Sequence, residues 1–257
     1  MSFLKKLGLG AGSFLLSLLL VATLMTFSVA QITSAETLRP FVADIAGQRL
    51  FQNLSADESA LIYSELTTQC DATGAGTVTA PVASEDASEV TNLSLSCAEL
   101  RGFGPEGIGK VYGGAIFDEL YYAKPDCAYP MCFFDQHMGA NAFTTYLSEE
   151  ANKFYQTMFY VLVALTVLVA IGLVRLGKSW TSLAKSFGLS LVIAGIPVFG
   201  ISLIKSSIPA EAAALIGSAA DPLFDALSTN FLFVFITGVT LLAIGLIGSK
   251  LRPEEEE

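Results

Sequence analysis

The sequence predicts an all-α membrane protein: four transmembrane helices, with a mostly helical, disulfide-stapled extracellular domain between helices 1 and 2. Three observations predict it. Four stretches of the 257-residue chain are almost free of charge and long enough to cross a bilayer, which takes roughly 20 apolar residues per helix. Lys and Arg gather on alternate sides of those stretches, the asymmetry that sets orientation in a membrane. All four cysteines fall in one polar segment and none in an apolar run, a distribution that an oxidising exterior permits.

The composition points the same way. The chain is 53% apolar and only 15% charged, with a mean hydropathy of +0.58, whereas about a quarter of the residues of a soluble globular chain are charged. The apolar stretches are Leu7–Ala30, Phe154–Val174, Phe187–Ile204 and Phe231–Ile247. They divide the chain into a cytoplasmic N-terminus with the first helix (1–30), an extracellular domain (31–153), a three-helix transmembrane region (154–251) with a short outer loop (205–230), and an acidic cytoplasmic tail (252–257).

The first stretch reads as a retained helix. Its rival is a cleaved secretory signal, because Lys5-Lys6 precede the run and Ser28-Val29-Ala30 resembles a cleavage site. The apolar run is longer than the ~7–15 residues of a signal core, which favours retention.

Orientation follows from the basic residues. Lys5 and Lys6 precede the first span, Arg175, Lys178 and Lys185 lie between the second and third, and Lys250 and Arg252 follow the fourth. The loop after the third span has Lys205 against Glu211, Asp221 and Asp225. Both termini are therefore expected in the cytoplasm and residues 31–153 outside. That segment holds 17 acidic and 6 basic residues, so it carries the chain's negative charge and excludes nucleic acid as a partner.

Within 31–153, Thr33-Ser-Ala-Glu36 has the form of a capping box, as does Ser55-Ala-Asp-Glu58. The first opens a helix through Leu38, Phe41, Val42 and Ile45, with Pro40 in its first turns. The second opens one through Leu61, Ile62 and Leu66 to Cys70. Asp71–Asn92, rich in Thr, Ala, Gly and Ser, is expected to be a surface loop, followed by a β-prone stretch at Val90–Ser96. A third helix is predicted from about Ile108 to Tyr122. Ser148 is placed as the cap of a last helix whose polar first turns run without a breaker into the second span, as a rigid stalk. After the third span, Pro209 begins a helix that Asp221-Pro222 is expected to break.

Candidate sites are few. Cys70, Cys97, Cys127 and Cys132 read as two disulfides, of which Cys70–Cys97 and Cys127–Cys132 are favoured among three connectivities. A metal site from Asp126, Cys127, Cys132, Asp135 and His137 is the sharper alternative, but His137 is the only histidine; no metal or cofactor is expected. Gly104-Pro-Glu-Gly-Ile-Gly109-Lys110-Val111 nearly spells a phosphate loop, but Val111 stands where Ser or Thr must hold magnesium. Turn glycines are the better reading. No G-x-S-x-G occurs and no ionisable residue lies in the four stretches, so no catalytic residue is assigned. Asn53-Leu-Ser55 and Asn92-Leu-Ser94 are glycosylation sequons. Gly195, Pro197, Gly200, Gly238 and Gly245 are placed as helix-packing or kink positions in the last two spans.

The order of these features resembles uncharacterised integral membrane proteins of archaea, chiefly small-genome lineages. The residues that carry the likeness are Phe3-Leu-Lys-Lys-Leu-Gly before an apolar run, Ser55-Ala-Asp-Glu58, and Ile116-Phe-Asp-Glu-Leu-Tyr-Tyr before Cys127. The resemblance implies the architecture and no activity. The layout is also similar to that of tetraspanins and claudins. The Cys-Cys-Gly start of the tetraspanin loop is absent, and the only Trp, Trp180, stands outside the region of the claudin cysteine signature. The function expected is that of a non-enzymatic cell-surface protein, binding a partner protein or envelope component or associating with itself, with membrane lipid around its spans. The alternative is a transport or channel component that acts as an oligomer.

Overall fold

The computed structural model describes residues 3–52, 54–83, 90–125, 127–134, 142–176, 179–200, 203 and 220–251. Its elements in chain order begin with α1 (Phe3–Ile32), α2 (Ala35–Phe51), α3 (Ala56–Thr73), β1 (Thr77–Ala83), β2 (Val90–Ser96), α4 (Cys97–Phe103) and a 3-10 turn (Pro105–Gly107). Next come α5 (Ile108–Tyr121), a second 3-10 turn (Met131–Phe134), α6 (Ala142–Leu147), α7 (Glu149–Leu176), α8 (Trp180–Gly195) and α9 (Ala220–Leu251). The chain divides into two compact units, Ile32–Lys153 and Met1–Gln31 with Phe154–Glu257.

Four helices are long and apolar enough to cross a membrane: Gly10–Ile32, Glu149–Leu176, Trp180–Gly200 and Leu227–Lys250. At 1.5 Å per residue even the shortest reaches about 31 Å, the thickness of a hydrocarbon core. The third begins seven residues before the expected Phe187. Ser179 caps it, its Oγ accepting from the Ser182 amide at 3.3 Å, so the helix runs through polar Thr181 and Ser182 and includes Lys185. The apolar stretch Phe187–Ile204 itself holds no charged residue; Lys185 lies in the same helix, ahead of it. The same helix breaks at Ile196, whose amide turns to the Ile193 carbonyl at 3.3 Å, and helical backbone resumes at 197–200. Pro197 has no amide to donate to that carbonyl and its ring crowds it. The fourth helix is continuous from Ala220. Asp221-Pro222 stands near its start; the helix expected from Pro209, and with it the break expected at this pair, lies outside the described residues.

In the unit Ile32–Lys153, the hairpin β1–β2 pairs Thr77 with Ser96 through Ala83 with Val90. The expected loop Asp71–Asn92 is thus largely structured. Val78 and Ala80 of β1 and Leu93 and Leu95 of β2 point inward at every second residue and are buried with Leu66, Cys70, Leu100, Ile108, Val111 and Tyr112. Leu38, Phe117 and Tyr121 form a second buried cluster. The capping box at Ser55 is present, with Ser55 Oγ accepting from the Glu58 amide and Glu58 accepting from the Ser55 amide. The other capping box is not formed: Ser34 is the N-cap of α2. The Thr33 hydroxyl instead accepts from Asn152 Nδ2 at 2.9 Å, and its carbonyl accepts from Tyr121 Oη at 3.0 Å. Pro40 lies in the second turn of α2, on its exposed side. Asn152 follows Ser148, whose Oγ caps α7 by accepting from the Ala151 amide at 3.2 Å.

Candidate functional site

Two disulfides close the unit Ile32–Lys153. Cys70, in the last turn of α3, meets Cys97 at the start of α4, with Cα atoms 5.9 Å apart. Cys127 meets Cys132 across a short loop, Cα atoms 5.2 Å apart. The first bond ties both ends of the hairpin segment to the buried cluster. The second holds Met131 at the surface, 70% exposed. Tyr129, in the same loop, donates from Oη to the Thr145 carbonyl, and its burial pushes its phenol up from the ordinary value.

Helices α2 and α5 lie in backbone contact. A methyl group at Gly113 would collide with Ala43, and one at Gly47 with the Gly109 carbonyl. Ala43 and Gly47 on α2, and Gly109 and Gly113 on α5, each lie four residues apart and so on one helix face. Gly109 is therefore a packing glycine. Gly104, at φ +68°, is the turn glycine of its segment, since that backbone region is open to residues without a Cβ.

Beside this seam Arg39 forks onto Asp118, with Nε–Oδ1 and Nη2–Oδ2 both at 3.0 Å, and onto Glu99, with Nη1–Oε1 at 2.9 Å. The Asp118 and Glu99 hydrogen bonds hold the guanidinium still further above its already high pKa. One arginine thus joins α2, α4 and α5. Pattern reading missed it, because its partners lie 60 and 79 residues away.

Among the described residues no group of three His, Cys, Asp or Glu side chains is placed to hold a metal ion. Cys127 and Cys132 are bonded to each other; Asp126, Asp135 and His137 lie outside the described residues, as do Asn53, Pro209 and the tail Glu254–Glu257. Asn92 and Ser94 are both exposed on β2. Large apolar side chains are also exposed on this unit: Leu61 at 69%, Tyr122 at 54% and Phe103 at 53%, besides Met131. On α3 Leu61 points to the surface, whereas Ile62, Leu66 and Cys70 face the buried cluster.

In the other unit α8 and α9 run antiparallel at close range. A methyl group at Gly188 would meet the Leu242 amide nitrogen at 2.5 Å, at Gly195 the Phe235 Cβ at 2.5 Å, and at Gly238 the Val192 nitrogen at 2.5 Å. At Gly245 it would meet both the nitrogen and Cγ of Lys185 at 2.8 Å. Gly200 meets nothing within 4 Å among the described residues. Hydroxyls link α1 to its neighbours: Ser13 Oγ lies 3.0 Å from Ser190 Oγ, and Thr23 Oγ1 lies 3.4 Å from Thr166 Oγ1.

No family model, curated protein or solved structure matches the chain. Its function is argued from its own residues.

Proposed function

We propose that the chain is a non-enzymatic, multi-pass cell-surface protein whose segment 32–153 lies outside the cell and binds a partner protein or envelope component. The observation that carries this reading is the exposure of Met131, 70% accessible inside the Cys127–Cys132 loop. Met and aromatic residues are enriched in protein interfaces, and Tyr122 and Phe103 are exposed on the same unit. A side chain held out by a closed loop loses little freedom on binding, so more of its buried area appears as affinity. The acidic balance of the segment favours a basic or neutral partner. The two disulfides suit an oxidising compartment, and the exposed Asn92 side chain of the Asn92-Leu-Ser94 sequon is accessible to a glycan there.

Photo-cross-linking tests the reading. With a photoreactive amino acid at position 131, illumination of intact native membranes is expected to give one discrete heavier species containing a second protein or an envelope polymer. An unshifted band with the probe at 131, 122 and 103 would overturn it. A second reading, a transport or channel component working as an oligomer, is favoured by the hydroxyl pairs Ser13–Ser190 and Thr23–Thr166, which give a polar seam among the spans.

A further inference from the structure

We propose that the end of the helical bundle where α8 begins and α9 finishes is a seat for the headgroup phosphate of an anionic lipid, with Lys185 and Lys250 as its cations and Trp180 as its interfacial anchor. The inference rests on the multi-pass architecture and not on which side segment 32–153 faces.

Lys185 lies five residues into α8 after Trp180, about 7.5 Å along the axis. It is half-buried. Its stem crosses α9 where Gly245 has no side chain, with Cγ 2.8 Å from the place a Cβ would occupy. A cation at that depth is unfavourable in hydrocarbon unless it reaches the interface or finds an anion. Its flexible four-carbon stem lets the ammonium rise along the apolar seam towards the headgroups.

The protein supplies no anion there among the described residues. Between described residues ion pairs join Arg39 with Glu99 and Asp118, Arg101 with Asp71, Lys110 with Asp44, and Lys153 with Glu149. These pairs belong to the unit Ile32–Lys153. The neighbours of Lys185 at its end of the bundle are further cations. Thr181 faces Gly248, 3.0 Å from a Cβ built there, which brings Lys250 of the last α9 turn level with the start of α8. Arg175 stands exposed in the last turn of α7. Gly12 of α1 faces Leu173 of α7, and Phe27 stacks near Phe159, so α1 and α7 are antiparallel. Trp180 is 76% exposed, the position of an aromatic residue at headgroup depth. Several cations and an aromatic anchor at one end of the helices, with no acid among the described residues there (Glu254–Glu257 lie outside them), are complementary to an anionic lipid surface, where each basic residue contributes about a fivefold gain in binding.

The full-length protein in neutral detergent provides the test, with its unfolding temperature followed during titration with phosphatidylglycerol, phosphatidylcholine or inorganic phosphate. Phosphatidylglycerol is expected to raise the temperature at concentrations where phosphatidylcholine and inorganic phosphate do not. Lys185→Gln and Lys250→Gln are each expected to weaken the phosphatidylglycerol effect about fivefold. Lys185→Arg should retain it, and Lys110→Gln, in the other unit, should leave it unchanged. Equal stabilisation by phosphatidylcholine, an undiminished effect in the Lys185→Gln/Lys250→Gln double variant, or full reproduction by inorganic phosphate would each overturn the proposal. If Lys185→Gln fails to fold, the exposed Lys250→Gln alone decides: unchanged affinity refutes the site. Headgroup selectivity is read without any protein partner, so failure here is distinct from failure of the cross-linking test.

Discussion

At the scale of single residues, Tyr121 shows how one buried group sets a pH limit. Its ring stacks on Phe117 with centroids 4.9 Å apart, and its hydroxyl donates to the Thr33 carbonyl. Burial, and then the neighbouring Tyr122 and Glu149, push its phenol up to about 12 from an ordinary value of 10. The folded state therefore prefers the neutral form. Its contribution to stability is complete below pH 10 and is lost as pH rises through about 12, when the unfolded chain has already released its proton. Tyr121→Phe is expected to cost about 1 kcal/mol at neutral pH by removing the hydrogen bond. It should also flatten the fall in denaturation midpoint between pH 10 and 12. A variant whose alkaline slope equals that of the parent would sink the assignment. Residue identities alone do not show this arrangement. Thr33 and Glu36 have the spacing of a capping box, but Asn152, 119 residues away, takes the Thr33 hydroxyl. Local pattern therefore reads Ser55 correctly, where the competing groups are solvent, and misreads Thr33, where a distant donor wins.

At the scale of elements, the sequence is legible where hydrophobic period and punctuation agree and silent where small residues hide the period. The helix expected from Ile108 to Tyr122 is α5, Ile108–Tyr121, because Gly107 and Tyr122 bound a run whose apolar residues recur at helical spacing. Strand β1 was not legible: its inward residues include Ala80, which carries little hydrophobic signal, and its outward residues are Thr77, Thr79 and Pro81. What fixes the hairpin is its partner strand and the bond at its base. The amide of Cys97 donates to the Gly76 carbonyl at 3.0 Å, so the ladder ends at the disulfide. In the chain-entropy account a bond closing 27 residues contributes roughly 3.5 kcal/mol, and one closing 5 roughly 2 kcal/mol. Cys97→Ser should therefore lower the stability of the unit by the larger amount and admit protease between Asp71 and Ser96. Cys132→Ser should cost less and open cleavage near Met131. Limited proteolysis with mass mapping checks both, and equal losses for the two variants would contradict the loop-length argument.

At the scale of the whole molecule, composition is more informative than pattern, since a membrane span is defined by length and the absence of charge. Four such helices are present. Their ends were less legible, because Lys185 stands just before the apolar run that predicted the third, yet belongs to the same helix, where Gly245 lets its stem lie along α9. The candidate surface was barely legible: exposure of Met131, Tyr122 and Phe103 depends on which residues the fold leaves uncovered, and no spacing rule supplies that. Orientation rests on charge, and it makes the most direct prediction. Arg175, Lys185 and Lys250 stand at one end of the helices, and basic residues close to span ends remain on the cytoplasmic side. A cysteine introduced at Gly76, which is exposed and has open space around it, is then expected to react with a membrane-impermeant maleimide in intact cells. A cysteine at Ser179 should react only after the membrane is permeabilised. The four native cysteines are paired in disulfides and give no background. The two positions are opposed by the argument itself, so the experiment has a decisive reversal. Labelling at position 179 with protection at position 76 would invert the protein, place segment 32–153 in a reducing compartment where disulfides are rare, and remove the basis for a surface-binding role.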